Sequence, residues 1–137
     1  MTSDLPIHGD RASLIWLAGL LEGEGAFDLH RQRYPRIRLQ MTDRDVVARA
    51  ATLMGTTVRA SLKRPPASTT WNAEVSGERA ATIMAALLPY MGARRSRRIG
   101  DTLAGYAYYK GHDRPSLPGP SVVPIPLREA APVALAA

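Results

Sequence analysis

The stretch LAGLLEGEG, residues 17–25, places two carboxylates directly behind an apolar run. The residues before it, from Arg11 onward, have helical spacing, and Asp10 is a residue type that caps helices. Glu22 and Glu24 therefore stand where an apolar helix ends, separated by a single glycine. A helix that serves only the core has no use for two acids there. The stretch therefore indicates a polar task at the end of this helix.

The predicted first helix, residues 11–22, is apolar on two sides, and such a helix is buried on two sides. One side can face the chain's own sheet. The other side needs a partner, unless the helix is the centre of a larger monomer, for which this domain is too small. Glycines on that side would let a second helix approach closely. The expected dimer interface consists of Trp16, Gly19, Leu20 and Gly23.

The composition is compatible with a nucleic-acid partner. The chain has 137 residues with a formal net charge of +6, and all its basic residues except Lys63 and Lys110 are arginines. Arginine binds phosphates and guanine edges through two hydrogen bonds, although a GC-rich genome would also favour arginine codons. The chain contains no cysteine, which excludes disulfides and thiolate metal sites and favours a reducing cytoplasm. The expected location is the cytoplasm of a bacterial or phage-infected cell. The uncharged run 12–21 is too short to span a bilayer, so we expect no membrane partner.

Periodicity along the chain predicts two hairpins and three further helices. Each hairpin follows a helix, so the order αββαββα predicts an α+β fold with a four-stranded antiparallel sheet and helices on one face, plus an extra C-terminal helix. A break at Tyr34-Pro35 is expected between the first two strands. The predicted strands are 27–33, 36–42, 57–63 and 69–75, and the further helices are 43–55, 78–89 and 94–110.

Three segments follow from the same patterns. Residues 1–9 are predicted to be a flexible leader, and residues 10–110 form the folded domain. Residues 111–137 are rich in proline and lack periodicity, so they are predicted to be a flexible tail.

Strand alternation divides the sheet into two faces. One face collects apolar residues and should lie under the helices: Phe27, Leu29, Ile37, Leu39, Met41, Val58, Ala60, Leu62, Trp71, Ala73 and Val75. The other face is rich in side chains that hydrogen-bond base edges in the major groove, into which antiparallel ribbons fit. A merely solvated sheet face is the alternative. The expected DNA-binding residues here are Asp28, His30, Gln32, Arg36, Arg38, Gln40, Arg59, Ser61, Lys63, Thr70 and Asn72.

The motif and its position before a hairpin resemble the LAGLIDADG homing endonucleases over roughly residues 11–110. Gly23 stands where that family more often has Ala, and Glu22 and Glu24 stand where it typically has Asp. The resemblance implies the αββαββα fold of the family, with a saddle-shaped sheet. The matching positions are Leu17, Ala18, Gly19, Leu20 and Gly25.

The resemblance also implies an activity: site-specific hydrolysis of double-stranded DNA with a divalent cation, Mg²⁺ or another such as Mn²⁺. By this correspondence Glu24 is catalytic and ligates the metal, whereas Glu22 caps, orients or is solvated. The chain carries one motif, which implies a homodimer whose two Glu24 side chains come together. Hard carboxylate oxygens suit Mg²⁺.

Two further catalytic residues are carried over from the resemblance, each with a departure. Asp43 aligns where the family often has Gln at the end of the second strand. Arg94 aligns where the family usually supplies a catalytic Lys; Arg is a poorer proton donor but can stabilise negative charge. Arg97 and Arg98, in the same basic segment, are expected to contact DNA phosphates.

Two other functions remain open at the level of sequence. One is a non-cleaving protein on the same scaffold that binds DNA or intron RNA, as a regulator or a maturase. The other is a protein-interaction module that uses the two-sided helix only for dimerisation.

Overall fold

The computed structural model describes residues 5–112, and residues 5–107 belong to one compact unit. A 3-10 turn, Leu88–Tyr90, joins the last two helices and contains Pro89. The predicted tail lies outside the described residues, except for its first two residues, which end the last helix. The elements are α1 Arg11–Glu24, β1 Gly25–His30, β2 Tyr34–Met41, α2 Arg44–Met54, β3 Val58–Ser61, β4 Thr70–Ser76, α3 Glu78–Leu87 and α4 Ala93–His112.

The four strands form one antiparallel sheet in the order β1-β2-β4-β3. α1, α2 and α3 all contact the sheet, and their apolar faces pack with its inner face into one core. This confirms the predicted α+β fold. Among the described helices, none is long and apolar enough to cross a bilayer.

The helix ends follow their sequence signals. The Asp10 carboxylate accepts a hydrogen bond from the backbone N–H of Ser13 at 2.9 Å, and this bond lowers the pKa of Asp10. α2 ends at Gly55, whose φ of 76° lies in the left-handed region that glycine tolerates. The start of α1 and the end of α2 therefore lie where these capping residues predict them.

The first hairpin turns earlier than predicted. Tyr34 and Pro35 lie inside β2, so the expected break at this dipeptide is wrong. The turn instead uses residues 31–33, with φ values of 54° for Arg31 and 61° for Gln32. Proline is tolerated near the start of a strand, and the Pro35 carbonyl accepts a hydrogen bond from the Gly77 N–H at 2.8 Å.

The inner face of the sheet matches the predicted apolar face over β1, β2 and β4. Phe27, Ile37, Leu39, Ala73 and Val75 are all buried. The prediction fails at the far end of β3, where Ala60 is exposed and Leu62 is 82% exposed. The ladder ends at the pair Ser61 and Thr70, so Leu62 has already left the sheet.

The described part of the N-terminal leader packs on the domain. Ile7 is only 7% exposed and belongs to the core, and the His8 N–H donates to the Leu53 carbonyl at 2.8 Å. Arg79 ties this segment to two helices: its Nε donates to the Met54 carbonyl at 2.8 Å, and its Nη2 lies 2.8 Å from Nε2 of His8. Residues 5–9 therefore act as part of the domain.

Candidate nucleic-acid interface

α1 passes into β1 without a connecting loop. Glu24 is the last residue of the helix and Gly25 is the first residue of the strand. A Cβ atom on Gly25 would lie 2.7 Å from Cδ2 of Leu21 and 2.9 Å from its carbonyl oxygen, so a side chain does not fit. The close approach fixes the direction of the chain at this point, and with it the place of Glu24.

The two glutamates of the motif have different surroundings. The Glu22 carboxylate accepts a hydrogen bond from the Gly92 N–H at 2.9 Å, just before α4 begins. Glu24 is exposed and forms no hydrogen bond or ion pair with any residue that the structure describes. It lines a depression of about 460 Å³ on the polar face of the sheet. The polar residues that share this depression with Glu24 are Arg38, Gln40, Asn72 and Glu74.

One ion-pair network organises the polar face of β1 and β2. The Arg36 guanidinium donates from Nε to Oδ1 of Asp28 and from Nη2 to Oδ2, both at 2.9 Å, and its Nη1 lies 2.8 Å from Nδ1 of His30. Arg38 also donates, from Nη2, to Oδ2 of Asp28 at 3.2 Å. The hydrogen bond from Arg36 is the largest cause of the lowered pKa of Asp28, and the same pair raises the pKa of Arg36.

The remaining predicted DNA-binding residues are spread along the same face. Gln40 donates to the Thr70 hydroxyl at 2.7 Å. A second depression, of about 430 Å³, is lined by Arg59, Ser61 and Asn72 among others. Gln32 is exposed in the hairpin turn, and Lys63 is exposed beyond the end of β3. The structure thus joins most of these residues into one polar surface and leaves Gln32 and Lys63 at its margins.

A third depression, of about 440 Å³, lies between β1 and α4 and is rich in arginine. Arg94, Arg97 and Arg98 of the basic segment line it. Arg95 lines it too. It was not among the expected site residues, although it belongs to the same basic segment. Ala26 borders both this depression and the one that contains Glu24, so the arginines and the free carboxylate flank the same strand. The other lining residues are Phe27 and Asp101.

Asp43 lies apart from both of these depressions. It is the exposed N-cap residue of α2 and makes no side-chain capping hydrogen bond. It lines neither the Glu24 depression nor the arginine depression. Glu24 and Arg94 thus line two depressions that share Ala26, and Asp43 lines neither.

The outer side of α1 carries a stripe of exposed small and apolar residues. Gly19 and Gly23 are exposed, and a Cβ atom on either would meet nothing within 4 Å. Ile15, one turn before Gly19, is 49% exposed and extends the stripe. Trp16 and Leu20 are half-buried beside it, and the Arg49 guanidinium lies 3.9 Å from the centre of the Trp16 ring. Helical spacing could have identified Ile15 from the sequence.

The fit of a divalent cation depends on Glu24. Within residues 5–112, no group of three or more His, Cys, Asp or Glu side chains is arranged to hold a metal ion. Glu24 offers a free carboxylate at the negative end of α1, which favours a cation. Mg²⁺ binds one or two protein carboxylates and keeps several waters, so the single carboxylate of Glu24 fits this cation.

The fold has relatives among solved structures. The homing endonuclease I-CvuI, in complex with its target in the presence of Ca, has a TM-score of 0.52 and 20% sequence identity, covering 68% of this chain and 64% of that chain. The group I intron-encoded homing endonuclease I-CeuI, complexed with DNA, has a TM-score of 0.51 and 15% identity, covering 76% of this chain and 59% of that chain. The chain has the LAGLIDADG homing endonuclease fold.

The LAGLIDADG likeness is one of structure, at low sequence identity. No protein-family model matches the chain, and no curated protein is similar to it at a significant level. The aligned part spans less than two thirds of the length of either solved relative. The LAGLIDADG fold nevertheless gives the free glutamate, the polar sheet face and the arginine segment a common framework.

Proposed function

We propose that the protein is a site-specific endonuclease that hydrolyses double-stranded DNA with a divalent cation, Mg²⁺ or Mn²⁺. The observation that carries the proposal is the free Glu24 carboxylate at the end of α1, bordering the polar face of a homing-endonuclease fold. The solved relatives are DNA complexes, which supports DNA as the partner here.

In this proposal each group of residues has its own role in binding or catalysis. The polar sheet face enters the major groove and reads base edges, while the arginines of α4 contact the phosphate backbone. Glu24 holds the cation, which when bound supplies water activation and neutralises charge on the scissile phosphate. Arg94, across Ala26, stabilises the negative charge that develops there. Asp43 keeps a catalytic role only if DNA or the second subunit completes its surroundings.

A homodimer is part of this proposal because one motif supplies one cutting site. The exposed stripe around Gly19 and Gly23 is open enough for a second α1 to approach. Two α1 helices paired along this stripe would bring their Glu24 ends together. The target would then be close to palindromic.

The test is cleavage of DNA from a randomised duplex library by the purified protein in Mg²⁺, followed by sequencing of the ends. Enrichment of one sequence among the cut ends, abolished by Glu24→Gln, is the expected result. Cleavage that Glu24→Gln leaves unchanged would refute the assignment of the catalytic carboxylate. Sequence-specific binding without any cutting would favour the second candidate.

That second candidate is a non-cleaving protein that binds DNA or intron RNA on the same scaffold. Arg94 favours it, because a guanidinium stays protonated and does not act as a proton donor where the family usually has a lysine. The binding surface would be the same. A selection against DNA and structured RNA libraries, run side by side, separates these two ligands.

A further inference from the structure

Two of the four arginines in the depression beside α4 are anchored by their Nε atoms. Arg95 Nε donates to the Glu22 carbonyl at 3.0 Å, and Arg98 Nε donates to the Phe27 carbonyl at 2.8 Å. The Arg95 guanidinium also lies 6.0 Å from the centre of the Phe27 ring. A guanidinium has five N–H donors, so the terminal amino groups of both side chains remain available.

Glu22 fixes the backbone from which these arginines project. Its carboxylate accepts from the Gly92 N–H at 2.9 Å, and the Gly92 carbonyl accepts from the Ser96 N–H at 2.8 Å as α4 begins. A Cβ atom on Gly92 would come within 3.3 Å of Glu22 Oε2, so there is little space between them. Glu22 thus binds the start of α4 through its side chain and Arg95 through its carbonyl.

Arg94 and Arg97 are held differently. Both are exposed, and neither forms a hydrogen bond or ion pair with another residue in the described part of the chain. The depression therefore has two arginines with a fixed orientation and two without. The two free arginines are natural controls for the two anchored ones.

We propose that Glu22 and the Phe27 carbonyl hold Arg95 and Arg98 as a rigid clamp for one phosphodiester group of a nucleic-acid strand, with Glu22 as a positioning residue. The inference rests on the proposed function and names an interaction within it. A planar guanidinium binds a phosphate through two parallel hydrogen bonds, and a side chain that is already ordered loses less entropy on binding. The clamp lies beside Ala26, next to the depression of Glu24.

The first test replaces arginine with lysine, which keeps the charge but lacks the Nε donor and the planar fork. Arg95→Lys and Arg98→Lys should each weaken binding to a random-sequence DNA duplex by about 3- to 10-fold, the cost of ordering one long side chain. Arg97→Lys is the matched comparison within the same depression and should weaken binding less than either, because a side chain without an anchor contributes mainly its charge, which lysine keeps. Equal effects at all three positions would overturn the clamp.

The second test concerns Glu22. Glu22→Gln keeps an oxygen that can accept from the Gly92 N–H and loses a negative charge, so it should bind DNA at least as tightly as the wild type. Glu22→Ala removes the acceptor and should weaken binding to a similar extent as Arg95→Lys, although it removes a negative charge that repels DNA. Thermal unfolding of each variant identifies any that fails to fold, in which case the lysine series decides. Tighter binding by both Glu22 variants would mean that only the charge matters, which contradicts the positioning role.

The salt dependence separates this inference from the proposed function. The slope of log K against log salt falls by about 1 for each DNA phosphate that the protein no longer neutralises. A wild-type protein without salt-dependent DNA binding refutes the proposed function, and the clamp falls with it. A wild-type protein that binds DNA, with Arg95→Lys and Arg98→Lys indistinguishable from Arg97→Lys, refutes the clamp alone.

Discussion

Asp28 and Arg36 face each other across β1 and β2 and form a two-pronged ion pair, with both N–O distances at 2.9 Å. The pair engages both oxygens of the Asp28 carboxylate, which would otherwise repel a phosphate or accept a hydrogen bond from the cytosine amino group. It also occupies two of the donor atoms of Arg36, and a third faces His30. In the proposed DNA complex, base reading on this part of the sheet would therefore fall to Arg38, which is more exposed than Arg36.

The ion pair predicts how stability depends on pH. Because the folded pKa of Asp28 is lowered, the pair stabilises the fold above the unfolded pKa of about 3.9 and loses this effect as pH falls through the folded value. Asp28→Asn should lower the free energy of unfolding by about 1 kcal/mol or less at neutral pH. The difference from wild type should shrink below pH ~4. Urea unfolding at several pH values measures it, with Asp101→Asn on α4 as an exposed control. A difference that stays constant down to pH ~2 would contradict the role of the pair.

Glu24→Gln should abolish cleavage and leave DNA binding intact. The amide keeps the size of the side chain but removes the charge that holds the cation, so the nicking rate on a bound target should fall by orders of magnitude. Binding should persist or tighten, because an acid near phosphates has been neutralised. Glu22→Gln is the control, since its oxygen can still accept from the Gly92 N–H. Single-turnover nicking in Mg²⁺ gives the rates, and an equal fall in both variants would contradict the separate roles of the two acids.

Gly19→Leu should abolish the dimer without harming the chain's own fold. A Cβ atom on Gly19 meets nothing within 4 Å in the single chain, and leucine favours a helix by about 0.5–1 kcal/mol over glycine. Gly100 on α4 is likewise open, so Gly100→Leu is a matched control that should leave the assembly unchanged. Sedimentation at micromolar concentration reports the oligomeric state. A wild-type chain that sediments as a monomer with and without DNA would contradict the dimer itself.

The polar face and the arginine segment should contribute differently to recognition. Arg38→Ala should relax sequence preference and cost about 1–3 kcal/mol on the best site if the side chain reads a base edge. Arg97→Ala should weaken binding to all sequences and reduce the salt slope by about 1. Binding measured on a target and on a scrambled duplex at several salt concentrations separates the two. Equal weakening on both duplexes for Arg38→Ala would mean that the sheet contributes only charge.

Much of the fold could be predicted from local patterns because its signals are local. Strand alternation identified Ile37 and Leu39 as core residues, and the caps Asp10 and Gly55 marked helix ends. The first hairpin was misplaced because Arg31 and Gln32 adopt left-handed conformations that residue type does not indicate. Leu62 continues the alternation of β3 in the sequence, but the pairing between β3 and β4 has already ended at Ser61 and Thr70. Periodicity does not show where strand pairing stops.

The site was less predictable because its interactions join distant parts of the chain. The role of Glu22 depends on Gly92, 70 residues later, and Arg95 and Arg98 depend on carbonyls that any residue carries. Residue type does not predict a hydrogen bond to a distant backbone group. The burial of Ile7 was missed for a similar reason, since a short segment without periodicity gives no sign that it packs on a core.

The direct passage from α1 into β1 restricts how this motif can change over evolution. One inserted residue between Glu24 and Gly25 would turn the helix by about 100° or move every β1 side chain to the opposite face of the sheet. Apart from Gly25, where a side chain does not fit, substitutions meet no such obstacle, as Glu in place of the Asp typical of the resembling motif illustrates at two positions. Related genes should therefore tolerate many changes of residue in this stretch but no change in its length, and a frame-preserving deletion there should inactivate the gene as surely as a stop codon.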